Sequence, residues 1–155
     1  MTKFEKVSQV QFAADGGNAE SYGKVILPKR GTSGSAGYDF FASECVTIKA
    51  GQSVKVLTGI RCAMPHDRCL LIFPRSSLGF KYRLALDNTV GVIDSDYCGA
   101  ANEGHIMIKM TNNSGNDLII NEGAAFAQGI FINYGLTDDD DVNNSRVGGF
   151  GSTNK

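Results

Sequence analysis

Basic residues are not in excess, apolar runs are short, histidine is rare and the cysteines are scattered. Each shortage removes a class of protein. Fifteen Lys and Arg against sixteen Asp and Glu give a formal net charge of −1. A duplex-DNA binder neutralises phosphates with a basic surface, so this balance argues against one. No apolar run approaches the ~18 residues that suggest a membrane span. The segment "MTKFEKVSQVQ" has no apolar core of the secretory type, so the expected compartment is the cytoplasm, with no membrane partner. Cys45, Cys62, Cys69 and Cys98 form no CxxC pair. That spacing is poor for zinc and reads as reduced thiols serving as small core residues. His66 sits in a "PHD" turn and His105 opens an apolar stretch, so both read as surface or capping histidines. Helical periodicity is scarce as well: no window of helical length carries an i, i+3, i+4 apolar stripe.

What is present is a 155-residue chain with 42% hydrophobic residues and 19 glycines. That length suits one domain with its own core. Without a Gly-X-Y period, the glycines read as turns. Short β-like runs recur: "KVIL" (Lys24 to Leu27), "YDFFA" (from Tyr38), "CVTI" (from Cys45), "VKVL" (from Val54), "CLLIF" (from Cys69), "HIMIKM" (from His105), "DLII" (from Asp117) and "AFAQGIFI" (from Ala125). Turn clusters such as "RGTSGSAG", "KAGQ" and "NNSGN" separate them. This pattern predicts an all-β barrel or sandwich. The composition then changes at Thr137, where "TDDDDVNN" leads into "SRVGGFGSTNK". Consecutive aspartates repel one another, so residues 1–136 are expected to form the domain and 137–155 a mobile arm.

Three stretches carry candidate chemistry. In "NTVGVIDSDYCG", from Asn88, a period of two puts Val90, Val92, Asp94 and Asp96 on one side of a strand. A core does not accept unpaired carboxylates. Either the strand ends in a solvated Asp-Ser-Asp turn, or a carboxylate stands at a pocket mouth as a general base. In "FPRSSLGFK", from Phe73, Arg75 offers a planar fork for phosphate oxygens and Ser76 and Ser77 add donors. The same stretch reads as a helix N-terminus capped by serine, which is compatible with anion binding. In "RVGGFGST", from Arg146, glycines let backbone N–H groups wrap a polyphosphate, and Phe150 can stack on a base. The stretch also reads as a plain glycine linker. The P-loop spacing GxxxxGK[ST] is absent from it.

Together these stretches resemble the trimeric dUTPase family, the deoxyuridine triphosphate nucleotidohydrolases. "AGYDFFAS" from Ala36, "PRSSLGFK", "NTVGVIDSDYCG", "EGAAFAQGIF" from Glu122 and "RVGGFGST" are similar to its five motifs, in family order. The resemblance runs from about Leu27 to the end and implies a jelly-roll-like β-barrel of the β-clip type. It implies a homotrimer with sites between subunits, each covered by another subunit's arm. The implied reaction is Mg²⁺-assisted hydrolysis of dUTP to dUMP and pyrophosphate, which keeps uracil out of DNA and supplies dUMP for dTMP synthesis. Asp94 would activate the water that attacks the α-phosphorus. Asn88 and the backbone of a hairpin through Gly91, Val92 and Ile93 would read uracil. Tyr97 would pack under the deoxyribose and exclude a 2′-hydroxyl. Arg75, Ser76, Ser77 and Gln128 would contact the phosphates. Asp39 would reach a Mg²⁺ carried mainly by the triphosphate, indirectly through water. Phe150 would stack on uracil, with Arg146, Gly151 and Ser152 over the phosphates. Asp96 would be structural. "AANEGH", Ala100 to His105, resembles a small insertion found in some members from Gram-positive bacteria and their phages. The related dCTP deaminases carry a glutamate where this chain has Lys109. A regulatory binding protein built on the same scaffold is the reading from another class.

Overall fold

The computed structural model describes residues 1–143 and Gly148. Twelve strands and three short helices follow one another along these residues. The strands are β1 (Lys3–Lys6), β2 (Lys29–Arg30), β3 (Tyr38–Phe41), β4 (Val46–Ile48), β5 (Ser53–Leu57), β6 (Ile60–Ala63) and β7 (Arg68–Pro74). After them come β8 (Leu84–Leu86), β9 (Gly91–Ile93), β10 (Met107–Asn112), β11 (Leu118–Ile120) and β12 (Ala125–Asn133). The helices are α1 (Gln9–Ala14), α2 (Ala19–Gly23) and α3 (Ser76–Tyr82), and a 3-10 turn covers Ser95–Gly99.

Among the described residues all pairing is antiparallel, in four small sheets. The largest has the order β2-β3-β12-β7-β9, and the next β5-β10-β8. The remaining pairs are β1 with β6 and β4 with β11. The fold is the all-β, β-clip type expected, although among the described residues the sheets do not join into one closed hydrogen-bonded ring. Period-two burial makes the sheets pack. Along β10, Ile108, Met110 and Asn112 are buried while Lys109 faces out. Phe12, Phe40, Phe126, Ile48, Leu70 and Ile106 form the centre of the core.

The helical segments depart from the sequence reading. α1 and α2 are too short for a stripe to show: α1 buries only Phe12, and α2 only Ser21. Their caps are the signal that periodicity missed. The Ser8 hydroxyl accepts from Gln11 N–H at 3.0 Å. Asn18 and Ser21 form a reciprocal capping box. "KVIL" is not a strand, because α2 ends at Gly23 and pairing resumes only at Lys29. β1 and β6 were not anticipated either. The expected serine cap of α3 is replaced by Arg75, whose side chain makes no capping bond.

Asn112 is fully buried and polar, in a stretch that reads as a turn from sequence. Its amide donates to the Ile48 and Asn116 carbonyls at 3.0 and 2.8 Å. Its carbonyl accepts from the Ser114 N–H at 3.1 Å and hydroxyl at 2.8 Å. The side chain thereby ties β10 to β4 and closes the "NNSGN" loop at no desolvation loss.

Candidate active site

Two of the three stretches lie on described residues. Along "VGVIDSDY", Gly91, Ile93, Ser95 and Tyr97 are buried while Val92, Asp94 and Asp96 are exposed. The alternation read from sequence holds, and its carboxylate side faces solvent. The strand need not leave the core, because its other side stays buried. β9 stops at Ile93 and the Asp94 carbonyl accepts from Tyr97 N–H at 3.1 Å, starting the 3-10 turn.

The expected hairpin is not one. β8 pairs with β10 and β9 with β7, so the chain changes sheet between them. A cavity of about 400 Å³ opens at this change, lined by Ile72, Leu86, Asp87, Asn88, Gly91, Val92, Ile93 and residues 106–109. β9 is the outer strand of its sheet, and its far edge has no strand partner among the described residues. A Cβ at Gly91 would lie 3.1 Å from the Ile72 Cβ, so glycine keeps this wall flat. Lys109 sits at the cavity, 3.1 Å from the Asp87 carboxylate. Thr111 donates to the same carboxylate, and these bonds hold Asp87 below the usual carboxylate range. On the other side of Val92 is a wider cleft of about 900 Å³, lined by Asp94, Asp96, His66, Cys69, Tyr134 and Leu136 among others. Burial, and then the nearby Asp94 carboxylate, raise the Cys69 thiol, which makes it a poor nucleophile. Burial pushes Cys62 up to about 12. Cys62 and Cys69 are the core thiols expected, whereas Cys45 is exposed.

A second group gathers at β3, β12 and the start of α3. Gln128 stands opposite Asp39 on one side and Phe73 on the other. Arg75 Nε lies 3.5 Å from Asp39 Oδ1. Gln128 Nε2 donates to the Pro74 carbonyl at 3.4 Å. A side chain at Gly37 would collide with the Gln128 amide, its Cβ 2.5 Å from Oε1. A shallow hollow beside this group is lined by Pro74, Arg75, Ser76, Gly79 and Phe80, the last 92% exposed. The cavity at Asn88 and the hollow at Arg75 share no lining residue. No cluster of three or more His, Cys, Asp or Glu suited to a metal occurs among the described residues. One carboxylate and one amide oxygen fit a hard cation that brings most of its ligands with it. Arg146, Phe150, Gly151 and Ser152 lie outside the described residues.

Sequence reasoning misplaced His105. It is fully buried, not a surface residue. Its Nδ1 faces Asp15 Oδ2 at 2.6 Å, and its Nε2 accepts from Gly59 N–H at 2.9 Å. An acceptor at Nε2 requires the proton on Nδ1, so the neutral ring donates to Asp15. Desolvation, outweighing the Asp15 carboxylate, holds the imidazole below its ordinary value. Burial works to raise Asp15, but hydrogen bonds from Gln11 and His105 outweigh it and hold that carboxyl low. His66 contacts the Ser95 hydroxyl at 3.0 Å, beside the wider cleft.

An edge strand beside an apolar cavity, an exposed aspartate at its end and a separate arginine–amide group sit on a β-clip fold. The dUTPase family model matches residues 23–154. The deoxyuridine 5'-triphosphate nucleotidohydrolase of Lactococcus lactis is 39% identical over 132 residues, which are 83% of this chain and 88% of that protein. The crystal structure of dUTPase from Streptococcus mutans superposes with a TM-score of 0.71 at 36% identity, covering 88% of this chain and 98% of that one. A mutant dUTPase from phage phi11 of S. aureus shares the fold, with a TM-score of 0.68 at 18% identity over 93% of this chain and 97% of that one. That structure is described as showing the coordination of a structural Mg(II) ion. The chain belongs to the dUTPase family, and so to the dUTP diphosphatases. No helix among the described residues is long and apolar enough to cross a membrane.

Proposed function

We propose that this chain hydrolyses dUTP to dUMP and pyrophosphate, with Asp94 as the general base. One observation carries the reading: a strand edge with no strand partner among the described residues lines an apolar cavity and ends in an exposed aspartate. Outward N–H and C=O groups of Gly91 to Ile93, with the Asn88 amide, offer the alternating donors and acceptors that a uracil edge matches. Tyr97 then packs beneath the deoxyribose. The sugar and α-phosphate emerge next to Asp94, which takes a proton from water as the water oxygen bonds to the α-phosphorus. The α–β bridging P–O bond breaks and pyrophosphate leaves with its electron pair. Such a base contributes roughly 10²–10⁴-fold.

The triphosphate is held by Arg75, Ser76, Ser77 and the Gln128 amide. Charge neutralisation and in-line positioning carry most of the remaining barrier. Asp39 and Gln128 are the residues that would hold a Mg²⁺ ion, which would supply charge stabilisation on the phosphates. The base-reading cavity and the phosphate hollow share no residue, which favours sites completed between subunits of a homotrimer. Val92, Tyr134 and Leu136 are exposed around Asp94 and suit such an interface. Arg146, Phe150, Gly151 and Ser152 complete the set of substrate-binding residues in this reading. The setting is the cytoplasm.

The test is pyrophosphate release from each dNTP and NTP with Mg²⁺, for the native chain and Asp94→Asn. Release from dUTP alone, reduced by about 10²–10⁴ in the variant, supports the assignment. Full activity in Asp94→Asn refutes the base; release from many nucleotides refutes the uracil pocket.

A further inference from the structure

The first 22 residues lie outside the stretch matched by the family model, which begins at residue 23. They are nevertheless tied to the motif-bearing chain. Ser8 N–H and hydroxyl donate to the two Glu103 carboxylate oxygens at 2.7 and 2.6 Å. Asp15 accepts from His105, and Phe12 packs on the same imidazole with ring centres 5.7 Å apart. Both partners, Glu103 and His105, belong to the insertion-like segment Ala100 to His105. That segment in turn holds Tyr97. The Tyr97 hydroxyl donates to the His105 carbonyl at 2.8 Å and accepts from the Asn102 amide at 2.8 Å. Asn102 is itself fixed, its carbonyl oxygen accepting from Gly104 N–H at 3.2 Å.

We infer that Asn102 and His105 are positioning residues for the sugar-selecting Tyr97, and that residues 8–15 are the brace that keeps them rigid. The inference rests on the proposed role of Tyr97 against the deoxyribose. Selection by exclusion needs a wall that does not yield. A ring that retreats by a few tenths of an ångström makes room for a 2′-hydroxyl without losing any contact to a 2′-deoxy sugar. Here the ring's hydroxyl end is anchored to a backbone carbonyl. The imidazole of that same residue is clamped between Asp15 and Gly59, with no exposed surface. The path from the first helix to the sugar wall is continuous: Asp15, His105, Tyr97. Neither these brace residues nor Tyr97, itself 5% exposed, lines the base-reading cavity or the phosphate hollow, and Tyr97 is the one member of the chain assigned to the sugar. Loss of a brace residue therefore reaches the reaction through the position of Tyr97.

The experiment measures kcat/KM for dUTP and for UTP in the full chain and in Asn102→Ala, Asp15→Ala and Ser8→Ala. The expected result is a fall in the dUTP/UTP ratio, about tenfold in Asn102→Ala and Asp15→Ala and less in Ser8→Ala, caused mainly by a gain on UTP. A residue that only supports the fold lowers both substrates together and leaves the ratio alone. Unchanged ratios in variants with native circular dichroism and oligomer size overturn the inference. Ser8→Ala removes an exposed contact and retains a folded chain if the buried variants do not. Asp15→Asn keeps an acceptor for the His105 N–H, and restoration of the ratio relative to Asp15→Ala supports the brace. A native chain that hydrolyses dUTP and UTP equally overturns the Tyr97 assignment itself, which is a different result from a selective native chain with insensitive variants.

Discussion

Replacing Gly104 with alanine probes the contact between the inserted segment and the sugar wall. Gly104 has φ +71°, and a Cβ there would lie 2.5 Å from Cys98 Cα, 2.6 Å from the Tyr97 carbonyl and 3.0 Å from Cys98 N. These neighbours are backbone, so no side chain can swing aside. Gly123 provides the control: its φ is +74°, but its added Cβ would meet nothing within 4 Å. Both variants suffer the left-handed backbone, at a net cost of about 1 kcal/mol after the unfolded chain's lost freedom is counted. Only Gly104→Ala adds overpacking, about 1–3 kcal/mol more. For a chain of 155 residues, each kcal/mol moves Tm by about 2–4 °C. Gly123→Ala should therefore melt about 2–4 °C low and Gly104→Ala about 5–15 °C low, at matched protein concentration. Thermal unfolding followed by circular dichroism reads both. Equal shifts in the two variants would refute the close packing of residue 104 on the Tyr97–Cys98 peptide.

Mixing inactive Asp94→Asn and Arg75→Ala proteins after dissociation and reassembly tests whether one site takes the two residues from different subunits. About one quarter of the sites in a random mixture then regain both groups, so pyrophosphate release returns; no recovery places both residues in the same chain's site. Acid should destabilise the protein in two stages. The folded His105 value lies below its ordinary 6.5, so the unfolded chain takes up that proton first. Stability is full above about pH 6.5 and falls as pH drops from there toward the folded value. Asp15, Asp87 and Glu103 are held below their ordinary 3.8, 3.8 and 4.5, so their contribution is present above those values and is lost as pH falls through the lower folded ones. Urea midpoints across pH check this, and greater stability at pH 5.5 than at pH 7.5 would contradict the His105 assignment. Asn112→Ala removes four bonds, one of them to the Ile48 carbonyl at a buried site, which should cost about 2–5 kcal/mol in denaturant unfolding.

Much of this architecture is visible in the sequence because β-burial follows a period of two. β3, β4, β5, β7, β10, β11 and β12 each carry an apolar run bounded by turn residues, and each forms within two residues of its run. The outward set Val92, Asp94, Asp96 follows from the same parity. What stayed hidden depends on distant partners. β1 reads as a mixed "KFEK" and becomes a strand only by pairing with β6. The hairpin that the resemblance implies is not a paired one, because β8 pairs with β10 and β9 with β7. His105 lies 90 residues from Asp15, so neither residue announces the other. Asp39, Arg75 and Gln128 come from separate motifs, and only the β3-β12-β7 order brings them together.

The Ser8–Glu103 clamp also bears on how the molecule is made. Its two residues are separated by 95 positions. During synthesis at roughly 5–20 residues per second, the ribosome takes about 5–20 s to reach Glu103 after Ser8. Over that interval Phe12, 1% exposed in the finished protein, lacks the His105 ring it packs on. The amphipathic segment around it then waits as uncovered apolar surface on the nascent chain, a natural landing point for a holding chaperone.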